Sequence, residues 1–254
     1  METIFVVVFS DPDKRGRQCK SNLDHCCVNF SGEPSMDTSE KEYDIVQDFY
    51  HDKDLDIAVL EIKNPDQYLP PGLRLRREGT EQLYLPYVSL IGYGHPEQSR
   101  ANTKTFEHYC RTVSPNSAEM RSALTWLGAV TDRLKTVLSN QGVDPSAVDI
   151  GYGDYDAAHN ILFNCFMEHG SSGAPIIRVC HGAEDTAKSI EVIGIVTHGL
   201  PHFFFLLSPL GRALVPNRCR FEAGTKTSHI YRSMKARNND LAERLFNVEP
   251  MDIN

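Results

Sequence analysis

None of the seven cysteines, Cys19, Cys26, Cys27, Cys110, Cys165, Cys180 and Cys219, stands in a C-x-x-C pair. Structural zinc sites repeat such pairs, so Cys19, His25, Cys26 and Cys27 read better as thiols than as a metal cluster. An odd count with irregular spacing matches no disulfide framework, and free thiols in a reducing compartment are the simpler reading. The N-terminal METIFVVVFSDPDKRG lacks a basic leader and a small-residue cleavage site. It reads as a buried strand rather than a secretory signal. No apolar run is long enough to span a bilayer, since GLPHFFFLLSPLG is interrupted by His202 and bounded by prolines. Positive charge is also short, with 26 Lys and Arg against 34 Asp and Glu, a net −8. That argues against a general nucleic-acid coat, although a local basic patch is compatible with it. Internal repeats and low-complexity linkers are missing too.

What is present is enough to build a core. Of 254 residues, 41% are apolar and 24% charged, neither a disordered nor a coiled-coil composition. Strand patterns dominate: IFVVVF, CCVNF, YDIVQDFYH, DLDIAVLEI, PYVSLIGYG, HNILFNCFM, APIIRV and SIEVIGIVTHG. Within DLDIAVLEI, Ile57, Val59 and Glu61 alternate with Ala58, Leu60 and Ile62. Residues 116–140 differ. Asn116 and Glu119 have the spacing of a capping pair, and Met120, Leu124, Leu127, Leu134 and Val137 or Leu138 recur at helical steps. SHIYRSMKARNNDLAERLF reads as one closing helix with Ile230, Met234, Leu241 and Leu245 on a face. The expected architecture is an all-β double barrel, with an incomplete first barrel over 1–110, a helical insertion over 111–145, and a second barrel with its closing helix over 146–254.

The chemistry gathers at FMEHGSSGAPIIRV, residues 166–179. Acyl transfer by serine needs a hydroxyl, a base and donors for the oxyanion. Ser172 supplies the hydroxyl, and the backbone N–H groups of Gly170 and Ser172 can converge if the loop turns sharply. Gly170 permits unusual backbone angles. Gly173 removes a side chain beside the nucleophile, and Pro175 fixes the exit. The pattern G-x-S-G-x-P arises by chance in roughly one in two hundred chains of this length. A Gly/Ser turn between strands is the plain alternative. It is not the G-x-S-x-G elbow, because position 174 is alanine and a strand follows. The carboxylate that would orient a base is best sought at Asp56, just before an apolar strand, whereas Asp52 and Asp54 read as solvated loop charges.

Three stretches carry a family likeness. LDIAVLEIKNPDQYLPPGL, VSLIGYGHPE and HNILFNCFMEHGSSGAPI resemble the catalytic-aspartate segment, the strand and turn after it, and the nucleophile segment of trypsin-like serine proteases. The closer resemblance is to their intracellular branch, the nuclear proteases called "family with sequence similarity 111". It covers most of residues 40–200. It implies Ser172 as nucleophile, Asp56 as triad acid, and Gly170 with Ser172 as oxyanion hole. It also implies protein or peptide substrates, chromatin or replication proteins among them, a nuclear or cytoplasmic setting, no membrane, and no cofactor or metal.

The same likeness puts the catalytic histidine on a segment upstream of a strand like TIFVVVF, where this chain starts. Among the histidines present, His25 in LDHCC precedes Asp56, and the His25–Cys26 pair is similar to that of secreted trypsin-like enzymes. His51 is too close to Asp56, His169 needs another geometry, and His198 lies on the strand expected to line the substrate cleft. His95, His108, His159, His181, His202 and His229 read as loop or surface residues. Two readings follow. One is an intracellular serine endopeptidase, or an incomplete product of one. The other is an inactive protease-like module that binds peptides or proteins. By resemblance, Phe166 and Met167 form the substrate-pocket floor, with Glu168 near, and Thr197, His198 and Gly199 the opposite wall. That pocket favours cleavage after large apolar or aromatic residues.

Overall fold

A computed structural model of the chain describes residues 4–7, 27–29, 42–62, 72–77, 86–93, 104–165, 167, 171–181, 188–247 and 252–253. The first four strands form an antiparallel sheet. They are β1 (Ile4–Val7), β2 (Cys27–Asn29), β3 (Glu42–Asp52) and β4 (Ile57–Ile62), in the order β1-β4-β3-β2. In β4 the Ile57 and Val59 face is buried, and Leu60 on the other face is buried as well.

The rest of the β structure is one closed antiparallel barrel. Its ring runs through β6 (Tyr87–Tyr93), β7 (Lys104–Val113), β8 (Asn160–Asn164), β11 (Glu222–Lys226), β10 (Lys188–His198) and β9 (Pro175–His181), and returns to β6. Two short strands, β5 (Arg74–Leu75) and β12 (Asp252–Ile253), add to β10 outside the ring. Strands β6 and β7, expected in the first unit over 1–110, hydrogen-bond within this ring. The ring therefore draws strands from both sides of the 111–145 helical segment.

That segment is α1 (Ala118–Asn140). Its N-cap is Ser117, whose hydroxyl accepts from Met120 N at 3.1 Å, one residue after the Asn116 expected from sequence. Met120, Ala123, Leu127, Leu134 and Leu138 make the buried stripe. Leu124, expected on that stripe, is 47% exposed, because the face turns through Ala123 instead. After the short α2 (Ala147–Ile150), β8 and the ring resume. The apolar run near residue 200 folds as α3 (His202–Leu206) and α4 (Pro209–Arg212). Helix α1, α3 and the outer surface of the ring share one core with the fully buried Phe203 and Phe221. Each such phenylalanine contributes roughly 1.5–3 kcal/mol by leaving water.

The closing helix is two helices, α5 (Thr227–Arg237) and α6 (Asn239–Phe246). Asn238 takes φ −151°, outside helical range, and its side chain caps α6 by accepting from Leu241 N at 3.1 Å. The four expected face residues still bury together, because both helices pack on Tyr50, Leu55, Ile57 and Val59 of the first sheet and Ile195 of the barrel. The barrel interior holds Val88, Leu90, Cys110, Ile161, Phe163, Met167, Ala174, Ile176, Ile193 and Val196. Of the cysteines, Cys110, Cys165 and Cys219 are free thiols; Cys19 and Cys26, with His25, lie outside the described residues. No described helix is long and apolar enough to cross a membrane.

Candidate functional site

Ser172 sits on a tight turn. Ala174 N donates to Ser171 O at 2.9 Å, closing a four-residue turn with Ser172 and Gly173 in the middle. Gly173 has φ +94°, a conformation that costs an L side chain dearly and glycine little. Ser171 is buried, and the Ser172 side is half-buried. Two backbone bonds staple the turn to β10: Gly173 N to Val196 O at 2.8 Å and Val196 N to Ala174 O at 2.9 Å.

Beyond Val196, β10 continues through Thr197 and His198. On one side it pairs with β11, His198 opposite Ala223, with a bulge at Thr197. On the other side β9 stops at Pro175, opposite Ile195. Among the described residues, no strand pairs with 197–199 on that side.

The turn that carries Asp56 is tied to the same pair of strands from the first sheet. Asp56 follows the β3–β4 turn with φ +55°, a left-handed position that aspartate tolerates better than most residues. The turn is shaped by Asp52, which is 3% exposed rather than solvated as its neighbours suggest. Its carboxylate accepts from Asp54 N at 3.0 Å, Leu55 N at 3.2 Å and Tyr50 OH at 3.4 Å, and from the Ser233 hydroxyl of α5. Burial pushes the Asp52 carboxyl upward, but Ser233, Leu55 N, Arg237 and Asp54 N together outweigh it and hold the group below its ordinary value. The next residue, Leu55, accepts at its carbonyl from Thr225 Oγ1 of β11 at 2.9 Å. Thr225 stands opposite Ile195, and Gly224 opposite the Val196 that staples the Ser172 turn. The Asp56 hairpin and the Ser172 turn are thus tied to β10 and β11 at adjacent registers.

The wall residues are engaged with the loop before β8. His198 Nδ1 lies 2.8 Å from Thr197 Oγ1, and Nε2 lies 3.5 Å from Asp154 Oδ1. The Tyr155 ring meets His198 edge-on at 5.6 Å, and its hydroxyl donates to Gly199 O. Burial, with Glu222 and Tyr152 nearby, raises the Tyr155 phenol well above its ordinary value, so it stays a neutral donor. Thr197 is buried; His198 and Gly199 are half-buried. Phe166, Glu168, His169 and Gly170 lie outside the described residues, so the oxyanion pair is represented only by Ser172.

Met167, the remaining floor residue, is buried, and its N–H donates to Glu222 Oε1 at 2.6 Å. Glu222 was not legible as a site residue. It opens β11 in a segment, EAGTK, without an apolar alternation, and its partner is 55 residues away. Its carboxyl is fully buried, and Oε2 has no hydrogen-bond partner among the described residues. Burial is the main reason its pKa is raised well above the ordinary value; the Met167 N–H pulls it down in part, and Cys165 adds to the rise. A carboxyl whose folded value is raised contributes most stability below its unfolded value, about 4.3, and loses it as pH rises through the folded value. Glu222→Gln keeps the acceptor for Met167 N–H and cannot ionise. Its melting temperature is expected to exceed that of the parent at pH 8 and to match it near pH 4, as read by thermal denaturation across pH.

No protein-family model matches the chain, and no curated protein matches it either. What the fold and site define is a protein built on a closed six-stranded antiparallel barrel, with a serine-bearing turn stapled to β10.

Proposed function

We propose that this chain is a trypsin-like serine endopeptidase, similar to the "family with sequence similarity 111" proteases, that works by acyl-enzyme chemistry at Ser172. The observation that carries the reading is the stapling of the Ser172 turn to Val196 of β10, a strand that runs on through Thr197 and His198. An extended peptide laid along Thr197 and His198 brings a carbonyl to the serine. Asp56, held at an adjacent register through Leu55 and Thr225, is the carboxylate that orients the base. Protein or peptide segments are then the substrates, and chromatin or replication proteins follow from the family likeness.

The test is labelling of the purified chain with a fluorophosphonate probe, with the site read by mass spectrometry. Label at Ser172 that vanishes in Ser172→Ala is expected. Asp56→Asn preserves the left-handed turn position and is expected to slow labelling by roughly 10³- to 10⁴-fold without lowering the melting temperature. A folded parent chain that takes no label sinks the hydrolytic reading.

A second reading is favoured by one observation. Both ring nitrogens of His198, the histidine nearest along the strand to the stapled turn, are engaged with Thr197 and Asp154. The same turn and strand segment would then serve a protease-like module that binds peptides without cutting them.

A further inference from the structure

The Leu55 carbonyl is held by a residue from the far end of the chain. Thr225 of β11 donates its Oγ1 hydroxyl to Leu55 O at 2.9 Å, and both residues are buried. The N–H of the same leucine donates to Asp52 Oδ1 at 3.2 Å. Leu55 is therefore fixed on both sides. Its carbonyl and the Asp56 N–H belong to one planar peptide unit, so the orientation of that plane sets ψ of Leu55 and φ of Asp56 together. Turning such a plane over is the change that separates type I from type II β-turns, and it reverses the sign of φ at the residue that follows.

Asp56 stands on the costly side of that choice. Its φ of +55° lies in the region that L side chains avoid, and aspartate tolerates it without preferring it. Strained positions persist where the surrounding structure over-determines them, and they gather at functional sites. Here the surroundings are specific. A Cβ on Gly224 would meet Ile176 of the barrel interior, so Thr225, the next residue, faces outward to the first sheet. In the β10–β11 ladder Thr225 is opposite Ile195, the residue before the Val196 that holds the Ser172 turn by two backbone bonds. One hydroxyl thus references the Leu55–Asp56 plane to the strand that carries the serine.

We infer that Thr225 is a positioning residue: its hydroxyl holds the Leu55–Asp56 peptide in the orientation that keeps Asp56 left-handed, and that conformer is the one in which Asp56 assists Ser172. This rests on the reading of Ser172 and Asp56 as parts of one site. Valine at 225 has the shape of threonine and the same β-branched fit to a strand, but no donor. Leu55 O then loses its hydroxyl partner in a buried place, which is unfavourable, and the plane relaxes by turning toward another donor or water. Relaxation carries φ of Asp56 to the negative side. Serine keeps the donor and loses only a methyl.

The test reads the backbone and the chemistry separately, both in the full chain. The sign of φ at Asp56 is read by NMR from backbone chemical shifts and the amide-to-Hα coupling, and Ser172 reactivity from the rate of fluorophosphonate labelling. Thr225→Val is expected to reverse the sign of φ and to slow labelling by roughly 10²-fold, the scale for a group misplaced by about an ångström. Thr225→Ser is expected to keep the positive φ and to label within about twofold of the parent. In an Asp56→Asn background the valine is expected to slow labelling by less than about twofold, because the carboxylate it misplaces is already gone; a hydroxyl of merely structural value would slow both backgrounds alike. Thr225→Ala, which also lacks the donor, carries the same expectations should valine prevent folding. A positive φ that survives loss of the donor, unchanged labelling beside a reversed φ, equal slowing in both backgrounds, or a serine variant that behaves like valine overturns the inference. A parent chain that takes no label, with φ reversed by valine and kept by serine, removes the hydrolytic reading and leaves the hold of Thr225 on Asp56 standing. Label at Ser172 with φ unmoved by valine does the reverse.

Discussion

Alanine at position 224 is expected to cost about 3 kcal/mol and to lower the melting temperature by roughly 6–12 °C. The added methyl would stand 2.6 Å from Ile195 O and 2.3 Å from Ile176 Cδ1. The isoleucine tip can turn away. The carbonyl cannot, because it belongs to the backbone of β10 in the pairing that closes the ring. Strands β10 and β11 must then part at the register where Val196 holds the Ser172 turn, so loss of Ser172 reactivity is expected to accompany the loss of stability. Gly194→Ala is the control. There the closest atoms, at 3.0–3.1 Å, are two isoleucine tips, Ile161 Cδ1 and Ile176 Cδ1, and the backbone oxygen of Thr225, which need give by only a few tenths of an ångström, and a cost of about 1 kcal/mol is expected. Urea denaturation of both variants checks the pair; equal midpoints would mean that β10 and β11 accommodate the methyl without parting.

Removing the Asp52 carboxylate is expected to be nearly as damaging. In Asp52→Ala the N–H groups of Asp54 and Leu55 lose their acceptor, as do the hydroxyls of Tyr50 and Ser233. Buried donors left unsatisfied cost about 1–3 kcal/mol each when water cannot reach them, and partial relaxation of the exposed end of the turn brings the expected total to about 3 kcal/mol. The turn also sets the direction of Asp56, so labelling at Ser172 is expected to slow as well. The pH dependence has a definite sign. A carboxyl held below its ordinary value contributes stability that is present above about pH 4 and lost as pH falls through the folded value. Asp52→Asn keeps one acceptor oxygen and cannot ionise, so its stability is expected to vary less than that of the parent between pH 5 and pH 2. An unchanged acid limb in that variant would assign acid unfolding to other carboxylates.

The parts of the molecule that were legible in sequence are those whose signal is local. The Ser172 turn announces itself because glycine and proline impose their backbone angles wherever they stand, and Gly173 uses that freedom. Helix α1 is legible from its period, although the cap fell at Ser117 and the stripe passed through Ala123. Two ring strands, β7 and β11, carry no such local signal. KTFEHYCRTV carries charges along its length, and EAGTK has glutamate and glycine at the positions that face the barrel interior. Their membership is fixed by neighbours far along the chain. Asp52 misled for the same reason: its sequence neighbours are polar, but α5 covers it from more than 180 residues away. The break at Asn238 hides in a helical pattern because the two helices keep their apolar residues toward one core.

The closure of the ring has a consequence for the order in which the molecule can assemble. Strand β6 pairs with β9, Ser89 opposite Ile177, across 88 residues, and β11 joins β8 to β10 only after residue 222. Pairings this distant demand loop-closure entropy before any contact rewards it. A chain emerging from the ribosome can wind α1 and fold the β3–β4 and β6–β7 hairpins as they appear, but the barrel must wait until Lys226 is out. The serine turn hangs from β10 and can form once Val196 is out, but Thr225 of β11 is what ties the Asp56 hairpin to the same register, so Asp56 and Ser172 are brought together only in that last step.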